Sequence, residues 1–181
     1  MEIKKLSLAE LQRPSVESFS SMEKMPVVVV LDNVRSALNV GSFFRTCDAF
    51  ALEKLVLAGI TATPPNREIN KTAIGSTESV KWEYFNTTLE AVLKYKNQGY
   101  KIIGIEQTTQ SIPLDAYTIQ DNKIVLIFGN EVNGLDEDLL PYLDVCLEIP
   151  QYGTKHSLNV AVCGGIVLWE FAKKLNNSSK I

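Results

Sequence analysis

The sequence predicts an α/β domain built on a mostly parallel, six-stranded sheet flanked by helices. Three observations predict it. Short β-branched apolar runs recur along the chain. Helical patterns fall between those runs, as they do when crossovers join parallel strands. The first run, Val27–Asp32 (VVVVLD), is apolar at consecutive rather than alternate positions, the pattern of a strand buried on both faces.

Ser7 and Glu10 have the spacing of a capping box, which predicts a short helix that Pro14 ends. Residues 14–25 are polar and read as a linker, so residues 1–25 form an N-terminal arm and residues 26–181 the domain. Further strands are expected at Leu55–Gly59, Val80–Phe85, Lys101–Glu106, Lys123–Phe128 and Val145–Pro150. The clearest helix is Thr87–Asn97, where Thr87 and Glu90 make a second capping box and Gly99 supplies the stop. The last helix runs from Ser157 to about Leu175 and is apolar on nearly every side until Lys173. A helix of that kind is buried all round, as a core helix or as core and dimer interface at once. Gly164 and Gly165 cost helix propensity, which points to a close backbone approach there.

Composition sets the limits. A chain of 181 residues that is 45% hydrophobic and 22% charged suits one domain with its own core. Lys plus Arg number 18 and Asp plus Glu 21, so the net charge is −3 and no bulk attraction to nucleic acid exists. Nucleic-acid binding would need a local cluster of cations, such as one assembled across a dimer. The three cysteines, Cys47, Cys146 and Cys163, are odd in number and not closely paired, which suits a reducing compartment. His156 is the only histidine and no C-x-x-C occurs, so no metal site is expected. The N-terminus lacks an apolar signal core. The most apolar stretch, 158–172, is shorter than the roughly 20 residues that span a bilayer. A soluble cytoplasmic protein without a membrane partner is expected.

Open α/β sheets bind ligands beyond the carboxyl ends of their strands. Three strand-to-loop junctions there are rich in polar residues and glycine: Asp32–Arg45, Phe128–Leu135 and Ile149–Asn159. Familiar motifs fail on them. Gly129 and Gly134 have P-loop spacing, but Leu135 and Asp136 replace the Lys and Ser/Thr that phosphates require. No G-x-G-x-x-G and no G-x-S-x-G occur, and Ser157 is too near His156 in sequence to be activated by it. Cys47 and Cys163 lack a base and read as buried packing. What remains is main-chain loops, one Arg, one Glu and amides, a set suited to holding a cofactor that carries its own reactive group.

The three loops carry a resemblance. Asn39-x-Gly41-x-x-x-Arg45, Phe128-Gly-Asn-Glu131-x-x-Gly-Leu135 and Ile149-Pro-x-x-Gly-x-x-x-Ser157-Leu-Asn159-Val160 resemble, in order and separation, the three motifs of the SpoU/TrmH branch of the SPOUT methyltransferases. The resemblance spans about residues 26–175. It implies transfer of a methyl group from S-adenosylmethionine to a ribose 2′-hydroxyl of tRNA or rRNA. It also implies a C-terminal deep trefoil knot, and a homodimer in which the first motif lies near the partner's cofactor site. Carried over by position, the implied cofactor residues are Ile105, Glu106, Phe128, Gly129, Ile149, Gln151 and Leu158. Gln151 stands where a Met is common. The implied catalytic set is Arg45, Asn39, Glu131, Ser157 and Asn159.

Each of these residues also has a plainer reading. Arg45 could be a surface ion pair. As a catalytic group it stabilises charge and positions RNA, because an arginine is a poor general base. Asn39 could cap a helix, Glu131 could tie loop amides together or orient Arg45, and Ser157 could cap the last helix. Asn159, at the apolar start of that helix, needs hydrogen-bond partners. His156 reads as loop structure or an RNA contact. Arg67 and Lys71 are candidate RNA phosphate contacts or a solvated face. A catalytically silent RNA- or S-adenosylmethionine-binding module is the alternative from another class, and base methylation the alternative reaction.

Overall fold

The computed structural model describes residues 3–7 and 9–178. Leu8, inside the first expected helix, and residues 179–181, counted above in the domain, lie outside the described residues. The strands are β1 (Met25–Asp32), β2 (Leu52–Ala58), β3 (Trp82–Phe85), β4 (Lys101–Ile105), β5 (Ile112–Pro113), β6 (Ile124–Phe128) and β7 (Val145–Glu148). They form one seven-stranded sheet in the order β3-β2-β1-β6-β4-β7-β5, every pairing parallel. All six expected runs are strands. The seventh, β5, is two residues long with a proline in it, and it adds to the edge against β7, the place where a proline is tolerated.

The helices are α1 (Val16–Ser21), α2 (Ala37–Ala49), α3 (Arg67–Ala73), α4 (Ser76–Ser79), α5 (Thr88–Asn97) and α6 (Val160–Ser178). The arm departs from expectation. Ser7 and Glu10 make their reciprocal hydrogen bonds, but only a turn follows, because two exposed bonds do not offset the cost of nucleating a helix before Pro14. The helix lies later, at α1, where Ser15 accepts from the Ser18 N–H and Phe19 is buried. In α5, Thr87 caps as expected by accepting from the Glu90 N–H at 3.2 Å.

The fully buried run Val27–Leu31 divides its side chains between two cores. Val27, Val29 and Leu31 join Phe43 and Phe44 of α2 and Val167, Leu168 and Phe171 of α6 on one face. Val28 and Val30 join Ala91, Val92 and Tyr95 of α5 and Leu139 on the other. The consecutive β-branched run is thus explained by helices on both faces.

α6 differs from its expected form in three ways. It begins at Val160, not Ser157. It is not buried all round: Val162 (54% exposed), Ile166 (41%) and Trp169 (57%) form one exposed stripe at helical spacing. Of its two glycines only Gly164 marks a close approach, where an added Cβ would stand 2.4 Å from the Phe43 ring; nothing lies within 4 Å of the corresponding point at Gly165. Among the described residues no helix is long and apolar enough to cross a membrane.

β1 leads through α2 to β2 on one side, whereas β6 leads past β4 to β7 on the other. The carboxyl ends of β1 and β6 therefore sit at a topological switch point, where connections diverge and leave a crevice.

Candidate active site

Beside that switch point, on the side of β6 away from β1, a cavity of about 540 Å³ lies over the ends of β4, β6 and β7, within the size range of small-molecule sites. Its floor is apolar: Ile105, Phe128, Leu147, Ile149, Leu158 and Val160. Its walls are the loops Gly129–Leu135 and 148–158, with Gln107 and Thr108. All seven residues carried over as cofactor contacts line it, as do Glu131 and Ser157. Arg45, Asn39 and Asn159 do not line it, nor do Arg67 and Lys71.

The charge of the lining is one-sided. Glu106, Glu131, Glu137 and Glu148 face the cavity and no Lys or Arg does. Such a lining repels phosphates and suits a ligand that carries a positive centre. S-adenosylmethionine, with a sulfonium and an ammonium against a single carboxylate and no phosphate, fits this chemistry. A nucleoside triphosphate or dinucleotide does not.

Backbone geometry builds the wall. The Gly129–Leu135 loop closes on itself through paired hydrogen bonds between Asn130 and Gly134, at 2.8 and 3.0 Å. A Cβ on Gly129 would stand 2.2 Å from the Gly134 carbonyl carbon, so only glycine allows the two strands of the loop to touch. Gly134 has φ +71°, and a Cβ there would meet Glu106 Oε2 at 2.1 Å. Glu106 uses that oxygen to accept from the Leu135 N–H at 3.0 Å, so it holds the loop as well as facing the cavity.

Glu131 joins the loop to α2. Its carboxylate accepts from the Arg35 N–H at 2.8 Å, the Ser36 N–H at 3.0 Å and Asn39 Nδ2 at 2.9 Å. Burial pushes the carboxyl up, but these donors outweigh burial and hold it below the usual carboxylate range. An anion at a helix N-terminus also meets the positive end of the helix dipole. Glu131 therefore ties loop amides and does not orient Arg45.

Asn39 does not cap α2; Ser36 does, accepting from the Asn39 N–H at 3.3 Å. Its side chain instead spans two motifs, donating to Glu131 and accepting from Asn159 Nδ2 at 3.2 Å. Asn159, not Ser157, caps α6: Asn159 Oδ1 accepts from the N–H groups of Ala161 at 2.9 Å and Val162 at 3.3 Å. The partners that Asn159 needed are thus Asn39 and the first turn of α6. Arg45 lies exposed on α2, and among the described residues no hydrogen bond or ion pair engages its guanidinium. Lys71 on α3 pairs with Glu68 at 2.7 Å. His156 is exposed on the cavity wall, and its carbonyl accepts from Gln107 Nε2 at 3.0 Å.

The cysteines read as packing. Cys47 is buried with its thiol pushed far up, and burial raises Cys163 to about 11. Among the described residues no cluster of His, Cys, Asp or Glu could hold a metal ion.

Two site residues were missed. Asn130 donates to the Asn33 carbonyl at 2.7 Å and accepts from the Val132 and Asn133 N–H groups, an Asx turn that an Asn between Gly and Glu at a strand end could have signalled. Asp32, at the end of the first run, is the second.

Fold and cavity together define an α/β domain with a candidate ligand site beyond the carboxyl ends of its strands. Residues 26–169 match the model of the SpoU rRNA Methylase family, and the chain belongs to that family. It is 33% identical over 150 residues to the tRNA (guanosine(18)-2′-O)-methyltransferase TARBP1 of Mus musculus, a match covering 82% of this chain and 9% of that protein. It is 33% identical over 150 residues to the tRNA (guanosine(18)-2′-O)-methyltransferase of Aquifex aeolicus, covering 80% of this chain and 67% of that protein. The crystal structure of an AdoMet-bound rRNA methyltransferase from Sinorhizobium meliloti aligns with a TM-score of 0.77 at 28% identity, covering 84% of this chain and 58% of that one. The chain thus spans under a tenth of the mouse protein and just over half of the Sinorhizobium chain.

Proposed function

We propose that this chain is an S-adenosylmethionine-dependent RNA methyltransferase acting on a ribose 2′-hydroxyl of tRNA or rRNA. One observation carries the reading: a cavity with an apolar floor, four carboxylates and, among the described residues, no Lys or Arg opens beside the linked side chains of Glu131, Asn39 and Asn159. The names of the mouse and Aquifex relatives support a ribose rather than a base, and the AdoMet-bound Sinorhizobium structure supports the cofactor.

When bound, S-adenosylmethionine supplies a methyl group activated by its sulfonium. Ile105, Phe128, Ile149 and Leu158 hold its apolar parts, and backbone groups around Gly129 and Gln151 read its polar edges. Glu106 lies on the wall as a counter-charge. Arg45 serves the RNA: its rigid guanidinium fork holds a backbone phosphate and the negative charge that grows on the 2′-oxygen. Asn39, Glu131 and Asn159 hold the N-terminal turns of α2 and α6 in one register, and Ser157, on the cavity wall, would contact the bound cofactor. Arg67 and Lys71 extend the phosphate contact along α3, with Lys71 exchanging its Glu68 partner for phosphate. No metal takes part.

The exposed stripe Val162, Ile166 and Trp169 supports a homodimer through α6. Solitary exposed apolar residues are ordinary, whereas three in one helical stripe favour a covered face. The Phe50 ring, 5.8 Å from Trp169, extends the surface towards α2. We further propose the trefoil-knot threading of the C-terminal segment, residues 26–181 as the methyltransferase domain with residues 1–25 as an arm, and a cytoplasmic location. The test is mass mapping of 2′-O-methylated nucleosides in total tRNA and rRNA from cells with and without the gene. Loss of one ribose methylation is expected; an unchanged ribose map, or loss of a base methylation, contradicts the reading.

A further inference from the structure

We infer that Asp32 is a positioning residue for cofactor binding, acting through the Gly129–Leu135 loop; this rests on the proposed reading of the cavity as the S-adenosylmethionine site. Asp32 ends β1 and is 1% exposed. A carboxyl group so buried needs hydrogen-bond partners in place of water. Asp32 has three. Oδ1 accepts from Asn33 Nδ2 at 2.9 Å and Thr88 Oγ1 at 2.5 Å, and Oδ2 accepts from the Asp136 N–H at 3.0 Å.

The third donor gives the residue its reach. Leu135 and Asp136 are consecutive, and their N–H groups go to two carboxylates from different strands: Leu135 to Glu106 after β4, Asp136 to Asp32 on β1. The exit of the loop is therefore clamped from both sides of β6. Asn33 adds a second tie: it sits at φ +54°, its carbonyl accepts from Asn130, and its Oδ1 accepts from the Ile60 N–H at 3.1 Å. The height of the loop over the cavity is thus set from β1. Thr88, in the first turn of α5, also bonds Asp32 but touches neither the loop nor the cavity.

Asp32→Asn keeps size and the Oδ1 acceptor. It offers an N–H₂ where the Asp136 N–H needs an acceptor. Thr88→Val removes a hydrogen bond to the same carboxylate without touching the loop. Calorimetric titration with S-adenosylmethionine and turnover on RNA, with thermal melts alongside, separate the roles. The expected result is a cofactor affinity about tenfold weaker in Asp32→Asn, a loss typical of one buried hydrogen bond to a charged group. The rate at saturating cofactor stays within about threefold, since no group touching the reacting atoms has changed. Thr88→Val lowers the melting temperature and leaves affinity unchanged. If Asp32→Asn does not fold, Asp136→Pro removes the same N–H at a backbone φ of −60° that proline accepts, and the same loss of affinity is expected. Unchanged affinity in the folded loop variant, or an equal loss in Thr88→Val, overturns the inference while wild-type binding still supports the cavity reading. Absence of binding to the wild type overturns both.

Discussion

Asn159 Nδ2 donates to Asn39 Oδ1 at 3.2 Å, joining residues 120 positions apart. The direction of the bond is fixed from both ends. Glu131 is a carboxylate and can only accept, so Asn39 turns Nδ2 towards it and Oδ1 towards Asn159. Asn159 spends its own Oδ1 on the first turn of α6, which leaves Nδ2 for Asn39. One directed chain therefore links all three loops, and its expected signature is thermodynamic coupling. Asn159→Asp keeps the cap of α6 and removes the donor to Asn39. In a double-mutant cycle with Asn39→Ala, unfolding free energies will show a coupling of about 0.5–1.5 kcal/mol. Additive effects would mean that the two side chains do not share a bond.

The Glu131 carboxyl is held below its ordinary range by Arg35, Ser36 and Asn39 donors that outweigh burial. A carboxyl lowered on folding contributes stability above its unfolded pKa, about 4.3, and loses it as pH falls through the folded value. Glu131→Gln is therefore expected to lower the melting temperature by a few degrees at pH 7. The gap to wild type will begin to narrow as pH falls below that unfolded value and will close once the native carboxyl itself is protonated at still lower pH. Melts across pH 3–8 check this; a gap that widens in acid contradicts the assignment.

The stripe on α6 predicts an oligomeric state. At micromolar concentration the wild type is expected to sediment as a dimer and Ile166→Asp as a folded monomer, because a charge at the centre of an apolar interface is costly to desolvate. A monomeric wild type contradicts the proposed interface.

Arg45 stands outside the cavity lining, exposed on α2. Arg45→Ala is accordingly expected to keep cofactor affinity within about twofold. It will lower single-turnover methylation by about 10²–10³, the range for losing a preorganised donor to a developing oxyanion. Arg45→Lys will lie between, since an ammonium keeps the charge and loses the fork. Loss of cofactor affinity in Arg45→Ala would relocate the residue to the cofactor side.

The fold was legible where burial writes itself into composition. Val27–Leu31 had to be covered on both faces, and Thr87 with Glu90 announced a helix start that formed. Ser7 with Glu10 carried the same local signal and made only a turn, because no packing followed it. Ile112–Pro113 carried no strand signal at all; pairing with β7 decided it. In the site, the motif residues were legible and their partners were not. Glu131 bonds main-chain N–H groups of Arg35 and Ser36, and such donors have no residue-type signature. Asp32 reads as the last residue of a strand until Asp136, 104 positions on, is brought to it by the chain's return through β6. Apolar spacing predicted α6 buried all round, whereas Val162, Ile166 and Trp169 are exposed in this chain, because the neighbouring elements cover only part of the helix surface.

The most direct test of the central claim is transfer in vitro. The purified protein is incubated with total tRNA and rRNA and S-adenosylmethionine bearing a deuterated methyl group. The RNA is then digested to nucleosides and weighed by mass spectrometry. The expected product is one nucleoside with the deuterated methyl on its ribose, formed in the presence of a chelator and formed about 10²–10³ times more slowly with Arg45→Ala. A label found only on a base, or no label on any RNA by a protein that binds the cofactor, would contradict the claim.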